Sequence, residues 1–409
     1  MLSFLRFALL LLLATPALAE RRAPVTILVS IDGFRADYLD RGLTPRLHAL
    51  AANGVRAAMR PSFPSITFPN HWTLVTGLVP DHHGIVANKM EDPARPGEQF
   101  DMKSDDPFWW NAAMPIWADA EKAGVRTATM FWPGSNVQVG GFKRTIAHDK
   151  LIIGGTRPAD WMQFNAEVKG PQRVQAVMDW LRRPGAIRPR FITLYFDTID
   201  TAGHHHGPDS PELNAALVDI DRTIGGLIDG LAALRQPANL VIVADHGMAA
   251  VRPDGLILTS ALADPADFRA VEKEPIATLY AVPGREAALE RALLAHHDHV
   301  QCWRKAEMPV RFRYGTNPRI ASYVCLADIG WTIASEAPKD GLEPGAHGYD
   351  NQAPEMRALF IANGPAFRAG RTLPIFDNVA VEPLLRDLIG LPPHQVDGTD
   401  AVFRSVLKR

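Results

Sequence analysis

The run VTILVSIDGF, residues 25–34, decides the fold. It is rich in β-branched residues, shows no alternation of apolar with polar positions, and stops at the turn pair Asp32-Gly33. A strand with one wet face alternates, so this pattern describes a strand covered on both faces, as in a parallel sheet flanked by helices. Two further runs repeat it: RFITLYFDTID (190–200) reaches Asp200, and NLVIVADHG (239–247) ends at Asp245 and His246. RTATMFW (126–132), IATLYAV (276–282) and ALFIAN (358–363) are shorter candidates.

Between these runs the period changes to that of a helix. In the segment 210–234, Ser210 is placed as N-cap and Pro211 as first helical residue, while Leu213, Leu217, Ile220, Ile224, Leu227 and Leu231 form one apolar stripe. PRLHALAANG (45–54), with Gly54 as expected C-cap, and GPQRVQAVMDWLRR (170–183) are two more helices. Alternating strands and helices predict an α/β fold, with a mostly parallel central sheet and helices on both faces. The less regular region 254–340 is expected to be an inserted smaller α+β segment within one domain spanning residues 20–409.

The chain opens MLSFLRFALLLLLATPALAERR. Arg6, the apolar run 7–14 and Ala17-Leu18-Ala19 read as a signal peptide of residues 1–19, which implies a periplasmic or secreted protein. The apolar run is too short to span a bilayer. The formal net charge of the whole chain is −2, so neither an extended nucleic-acid groove nor an anionic membrane surface is expected. Cys302 and Cys325 are the two cysteines, in strand-like runs. In an oxidising compartment they are expected to pair, the other reading being two buried thiols, and without CxxC spacing they make no zinc site.

Open α/β sheets bind ligands at the carboxyl ends of their strands, where Asp32, Asp200, Asp245 and His246 fall. His204 follows Asp200 in DTAGH (200–204), and His347 lies in AHGYD (346–350). Three aspartates and three histidines suit zinc, and six ligands exceed one tetrahedral centre, so they divide between two ions. Singly, each has an ordinary reading as a turn, surface or core residue. Thr67, in FPSITFPNHWTLVTGLVPDHHG (63–84), stands where a turn passes into a helix, and two readings stay open for its hydroxyl: an N-cap, or a nucleophile for an anionic substrate.

The ordered segments SIDGFRADYL, TPRLHALAANG, PSITFPNHWTLVTGLVPDHHGIVANKM, FWPGSNV, LYFDTIDTAGHHHGP, VADHGM and GAHGYDN resemble the nucleotide pyrophosphatase/phosphodiesterase family of the alkaline phosphatase superfamily, from Asp32 to Asn351. The resemblance implies that Thr67 is the nucleophile, forming a phospho-threonine intermediate. It implies one zinc held by Asp200, His204 and His347, and a second held by Asp32, Asp245 and His246 with Thr67. Asn88 resembles the side chain that holds a phosphate oxygen. Phe68, Phe131, Trp132 and Tyr195, with Met102, match positions around a nucleobase, although Phe131 and Tyr195 read equally as core residues of strands. Ala346 departs from the asparagine the family often has there, which alters the surroundings of His347.

No lysine or arginine adjoins Thr67, although Arg35 and Lys89 are near in sequence. A monoester dianion needs more positive charge than a diester, so a phosphodiesterase is expected that releases nucleoside monophosphates from a small-molecule nucleotide substrate. The alternative substrate is a glycerophosphodiester or choline-phospholipid headgroup, for which Asp105, Asp106, Trp109 and Trp110 are the candidate cage. A non-catalytic metal- or phosphate-binding domain is a third reading, opposed by the intact Thr67 and six ligands.

Overall fold

The computed structural model describes residues 22–146 and 149–408; the expected leader, 1–19, lies outside them. Val25–Ile31 is the middle of a nine-stranded sheet, paired in parallel with Ala238–Val243 on one side and Phe191–Phe196 on the other. Every residue of that strand is buried, as its unbroken apolar run requires. Thr127–Met130 and Asp160–Met162 extend the sheet in parallel beyond Phe191–Phe196. Ala358–Asn363 runs antiparallel between Ala238–Val243 and Val55–Arg60. The sheet is therefore mixed but mostly parallel, and the fold is α/β.

The helix Pro211–Ala233 begins where its cap predicts, with the Ser210 side chain accepting from Leu213 N. All six residues of its stripe are buried, each such leucine or isoleucine contributing about 1.5–3 kcal/mol over an exposed position. Gly170–Arg182 also forms as expected, buried through Val174, Val177, Met178 and Leu181. Pro45–Ala52 is capped by Asn53 rather than Gly54. Gly54 serves a different need, because a Cβ there would meet Ala362 O at 2.3 Å.

IATLYAV enters a different sheet from the other candidate strands. Ile276–Ala281 lies between Phe268–Lys273 and Tyr323–Ala327 in a four-stranded antiparallel sheet completed by Val300–Arg304. Its apolar content matches that of a central strand, and composition does not say which sheet a strand joins. Cys302 and Cys325 face each other across Val300–Arg304 and Tyr323–Ala327 and are joined by a disulfide. Among the described residues, no helix is long and apolar enough to cross a membrane.

Candidate active site

Asp32 follows the central strand directly, Asp245 lies two residues beyond Val243, and Asp200 sits in the first turn of the helix Thr198–His206 that leaves Phe196. His204 stands one turn further along that helix, at i+4 from Asp200 and on the same face. His347 comes from the far end of the chain, after a short bridge in which Ala346 pairs with Ala249. The three carboxylates and three imidazoles thus converge at the carboxyl edge of the sheet.

The histidines share one orientation. Nδ1 of His246 faces Gly247 O at 2.9 Å, Nδ1 of His204 faces Gly345 O at 3.1 Å, and Nδ1 of His347 faces Ser65 O at 3.1 Å. A carbonyl only accepts, so each Nδ1 carries a proton, and a ring in its neutral form would present the Nε2 lone pair. His246 Nε2 lies 3.3 Å from Asp32 Oδ1 and 3.0 Å from Asp245 Oδ2. Asp200 Oδ1 is 3.4 Å from His204 Nε2 and 3.6 Å from His347 Nε2. Those same oxygens, Asp32 Oδ1, Asp200 Oδ1 and Asp245 Oδ2, are buried without a hydrogen-bond partner. Lone pairs facing unpartnered carboxylate oxygens are costly unless a cation lies between them, so the donor set fits metal ions. Ser65 O satisfies His347 Nδ1, so Ala346 leaves that ring without an unmet donor.

Electrostatics give the same result. Burial, then the charges of Asp245 and Asp200, push the Asp32 carboxyl well above the carboxylate range. Burial also opposes ionisation of Asp245, but His246 and His71 hold it low. His347 is pushed down to about 3 by burial and by neighbouring His246. Against burial, Asp200 and Glu343 raise the His204 imidazole to about 11, and Asp245 raises His246. A crowded acidic centre of this kind draws positive charge, which a bound cation would supply.

Thr67 is the first residue of the helix Thr67–Thr76, and the cap position belongs to Ile66. Its hydroxyl lies 3.2 Å from His246 Nε2 instead of returning to the backbone. Asn88 meets the same turn, its Oδ1 accepting from Phe68 N at 3.0 Å. The Asn88 Nδ2 donors engage no other group among the described residues. Arg35 is held by Asp37 and by Met248 O.

The expected base-binding residues fall into two sets. Phe68 is half-buried, edge-on to Phe100 and near Trp110, and Met102 is 56% exposed. Tyr195 is only 9% exposed, and its hydroxyl donates to Asp32 Oδ2 at 2.7 Å. Trp132 is buried and donates through Nε1 to His71 O at 3.2 Å. Phe131 is buried as well. These three line the layer beneath the site and offer little free ring face. Phe164, which the sequence did not single out, is 50% exposed and edge-on to both Phe131 and Tyr195. A lone phenylalanine beyond a three-residue strand carries no periodic signal. His71 was also missed; its Nε2 lies 2.9 Å from Ser30 Oγ and its Nδ1 2.9 Å from Thr67 O and 3.4 Å from Asp245 Oδ2.

Residues 26–350 match the sequence profile described as type I phosphodiesterase / nucleotide pyrophosphatase. An uncharacterized pyrophosphatase/phosphodiesterase of Schizosaccharomyces pombe is 37% identical over 398 residues, covering 91% of this chain and 78% of that protein. A bis(5'-adenosyl)-triphosphatase of Xenopus laevis is 34% identical over 380 residues, covering 92% of this chain and 80% of its own. Among solved structures, the murine ectonucleotide pyrophosphatase/phosphodiesterase 5, as an inactive threonine-to-alanine variant in complex with AMP, superposes with a TM-score of 0.87. It is 31% identical, with 94% of this chain and all of that chain covered.

Proposed function

The chain belongs to the type I phosphodiesterase / nucleotide pyrophosphatase family, and on that premise we propose that it cleaves nucleotide phosphodiester or pyrophosphate bonds to nucleoside monophosphates with Thr67 as nucleophile. The observation that carries this reading is the Thr67 hydroxyl, turned away from capping and toward His246 at the edge of the carboxylate–imidazole cluster. The inactive threonine-to-alanine relative that holds AMP supports both the residue type and the ligand class.

In the proposed reaction the Thr67 hydroxyl releases its proton to solvent and its oxygen bonds to phosphorus as the bond to the leaving oxygen breaks. The leaving oxygen departs with the bonding pair, giving a phospho-threonine. Water then attacks the same phosphorus, the Thr67 ester bond breaks, and the nucleoside monophosphate leaves with Thr67 restored. Asn88 is assigned the remaining phosphate oxygen, since Phe68 N fixes its Oδ1 and leaves the Nδ2 donors without a partner among the described residues. Asp200, His204 and His347 are assigned to one zinc, and Asp32, Asp245 and His246, with Thr67, to the other. Bound there, two zinc ions supply Lewis-acid chemistry that lowers the pKa of an attacking hydroxyl and offsets charge on the leaving oxygen. Phe68 and Phe164 are the surfaces offered to a base, and Tyr195 and Trp132 support the site from below.

The nucleotide reading is favoured over a choline headgroup because three of the four candidate cage residues are already in use. Trp109 and Trp110 are buried, Trp110 donating to Ser104 O, and Asp106 caps a short helix while paired with Arg95. The disulfide and the ecto-enzyme relatives support action outside the cytosol, in the periplasm or as a secreted protein.

The deciding experiment compares zinc-loaded wild type with Thr67→Ala on a nucleotide diester, glycerophosphocholine and a phosphate monoester. Wild type is expected to cleave the nucleotide diester fastest, and the variant to fold, retain metal and lose that activity. Equal rates for variant and wild type would return Thr67 to a structural role.

A further inference from the structure

We propose that Glu272, from the four-stranded sheet outside the central one, is a positioning residue that sets the oxyanion donor Asn88. This rests on the role given to Asn88 above.

The edge strand Phe268–Lys273 slips in register against Ile276–Ala281: Ala270 pairs with Leu279, but Glu272 pairs with Thr278, leaving Val271 as an extra residue. A regular strand turns consecutive side chains to opposite faces, and a bulge breaks that rule. Here Val271 and Glu272 are both covered, at 7% and 5% exposure. A buried glutamate needs partners. The Glu272 backbone N donates to Thr278 Oγ1 at 3.1 Å, and its side-chain Oε2 accepts from Lys89 N at 2.9 Å.

The loop it grips carries Asn88. That residue is held on one side by Phe68 N, at the start of the Thr67 helix, and on the other by the Glu272 carboxylate at the next peptide. Burial raises the Glu272 carboxyl, while the amides of Lys89 and Asn88 stabilise its charge. A second strap ties the short strand Met90–Glu91, which follows that loop, to the same edge strand: Arg269 Nη2 pairs with Glu91 Oε2 at 2.7 Å. An acceptor-only group with two oxygens suits a loop that presents amide donors. The value of Asn88 as an oxyanion donor depends on its placement, since a shift of about 1 Å at such a group costs about 100-fold in rate. The bulge therefore makes a sheet with no residue in the metal cluster part of the catalytic geometry.

Glu272→Asp keeps the charge and withdraws the carboxylate by one methylene; Glu272→Ala removes it. Each is measured alone and combined with Asn88→Ala, reading kcat and KM on a nucleotide diester, zinc content and the thermal midpoint. Glu272→Asp is expected to lower kcat about 10- to 100-fold with KM and zinc content within about twofold. In the Asn88→Ala background it adds no more than about a further twofold. If Glu272→Ala does not fold, the aspartate variant still decides. An unchanged kcat in Glu272→Asp, or losses that multiply in the double variant, overturns the proposal. If Asn88→Ala itself keeps wild-type kcat, the oxyanion-donor role fails and this inference falls with it. A slow Asn88→Ala beside a fast Glu272→Asp sinks this inference alone.

Discussion

The imidazoles of His246 and His347 are stacked, their centroids 3.6 Å apart and their planes within 14°. One ring points its Nε2 at Asp32 and Asp245, while the other points at Asp200. The stack therefore ties together the two groups assigned to separate ions. His347→Ala is expected to lose the ion of its own group and also to weaken the other about 10- to 100-fold, because His246 loses the surface that fixes its ring. Chelator competition with metal analysis reads this directly. Loss of one equivalent with the other held at wild-type affinity would show the groups to be independent.

Tyr195 distinguishes a brace from a base platform. Its hydroxyl donates to Asp32 Oδ2 at 2.7 Å within a buried layer. Tyr195→Phe keeps the aromatic face and removes only that donor. Were the ring a stacking surface, the change would be neutral; as a brace it is expected to weaken metal binding about tenfold or more. Metal affinity and KM for a nucleotide, measured on the same variant, separate the two.

The positions of Asp32, Asp200, Asp245 and His246 were legible because an apolar run that stops at a polar turn marks both a buried strand and its end. What the Tyr195 side chain meets was not legible for the same reason. In a strand covered on both faces, nothing in the pattern says which residue points at a neighbouring strand's terminal aspartate. Glu272 and Lys89 are 183 residues apart, and their contact depends on a one-residue bulge. Neither fact has a local signature. His71 was hidden differently, since a histidine inside an apolar helical run reads as core until its two nitrogens are seen to meet Ser30 and Thr67.

Phe68 adjoins the nucleophile and is half-buried, with a ring edge-on to Phe100. Phe68→Ala is expected to lower kcat/KM for a nucleotide substrate by about 1–3 kcal/mol, the worth of one base–aromatic stack. A diester without a base is expected to lose much less. Steady-state kinetics on the pair of substrates provide the test, and an equal loss on both would move Phe68 from substrate recognition to packing against Phe100 and Trp110.

His83 sets an acid limit on stability. It is fully buried, its Nδ1 accepting from Ile85 N at 3.1 Å while its Nε2 faces Pro69 O at 3.1 Å and Thr73 Oγ1 at 3.0 Å. That arrangement admits only the neutral ring with its proton on Nε2. Burial accordingly pushes its pKa down to about 3, against about 6.5 in the unfolded chain. Above pH 6.5 both states are neutral and the residue adds no pH dependence. Between about 6.5 and 3 the unfolded chain binds the extra proton, so stability falls as pH falls, by on the order of 5 kcal/mol over the whole window. Below about 3 the penalty is complete and the slope vanishes. His83→Gln removes the titration, at some cost to the three hydrogen bonds, and is expected to flatten the stability curve across that window while lowering it near neutral pH. Denaturant unfolding at several pH values checks this. A wild-type slope retained in the variant would assign the acid sensitivity to other groups.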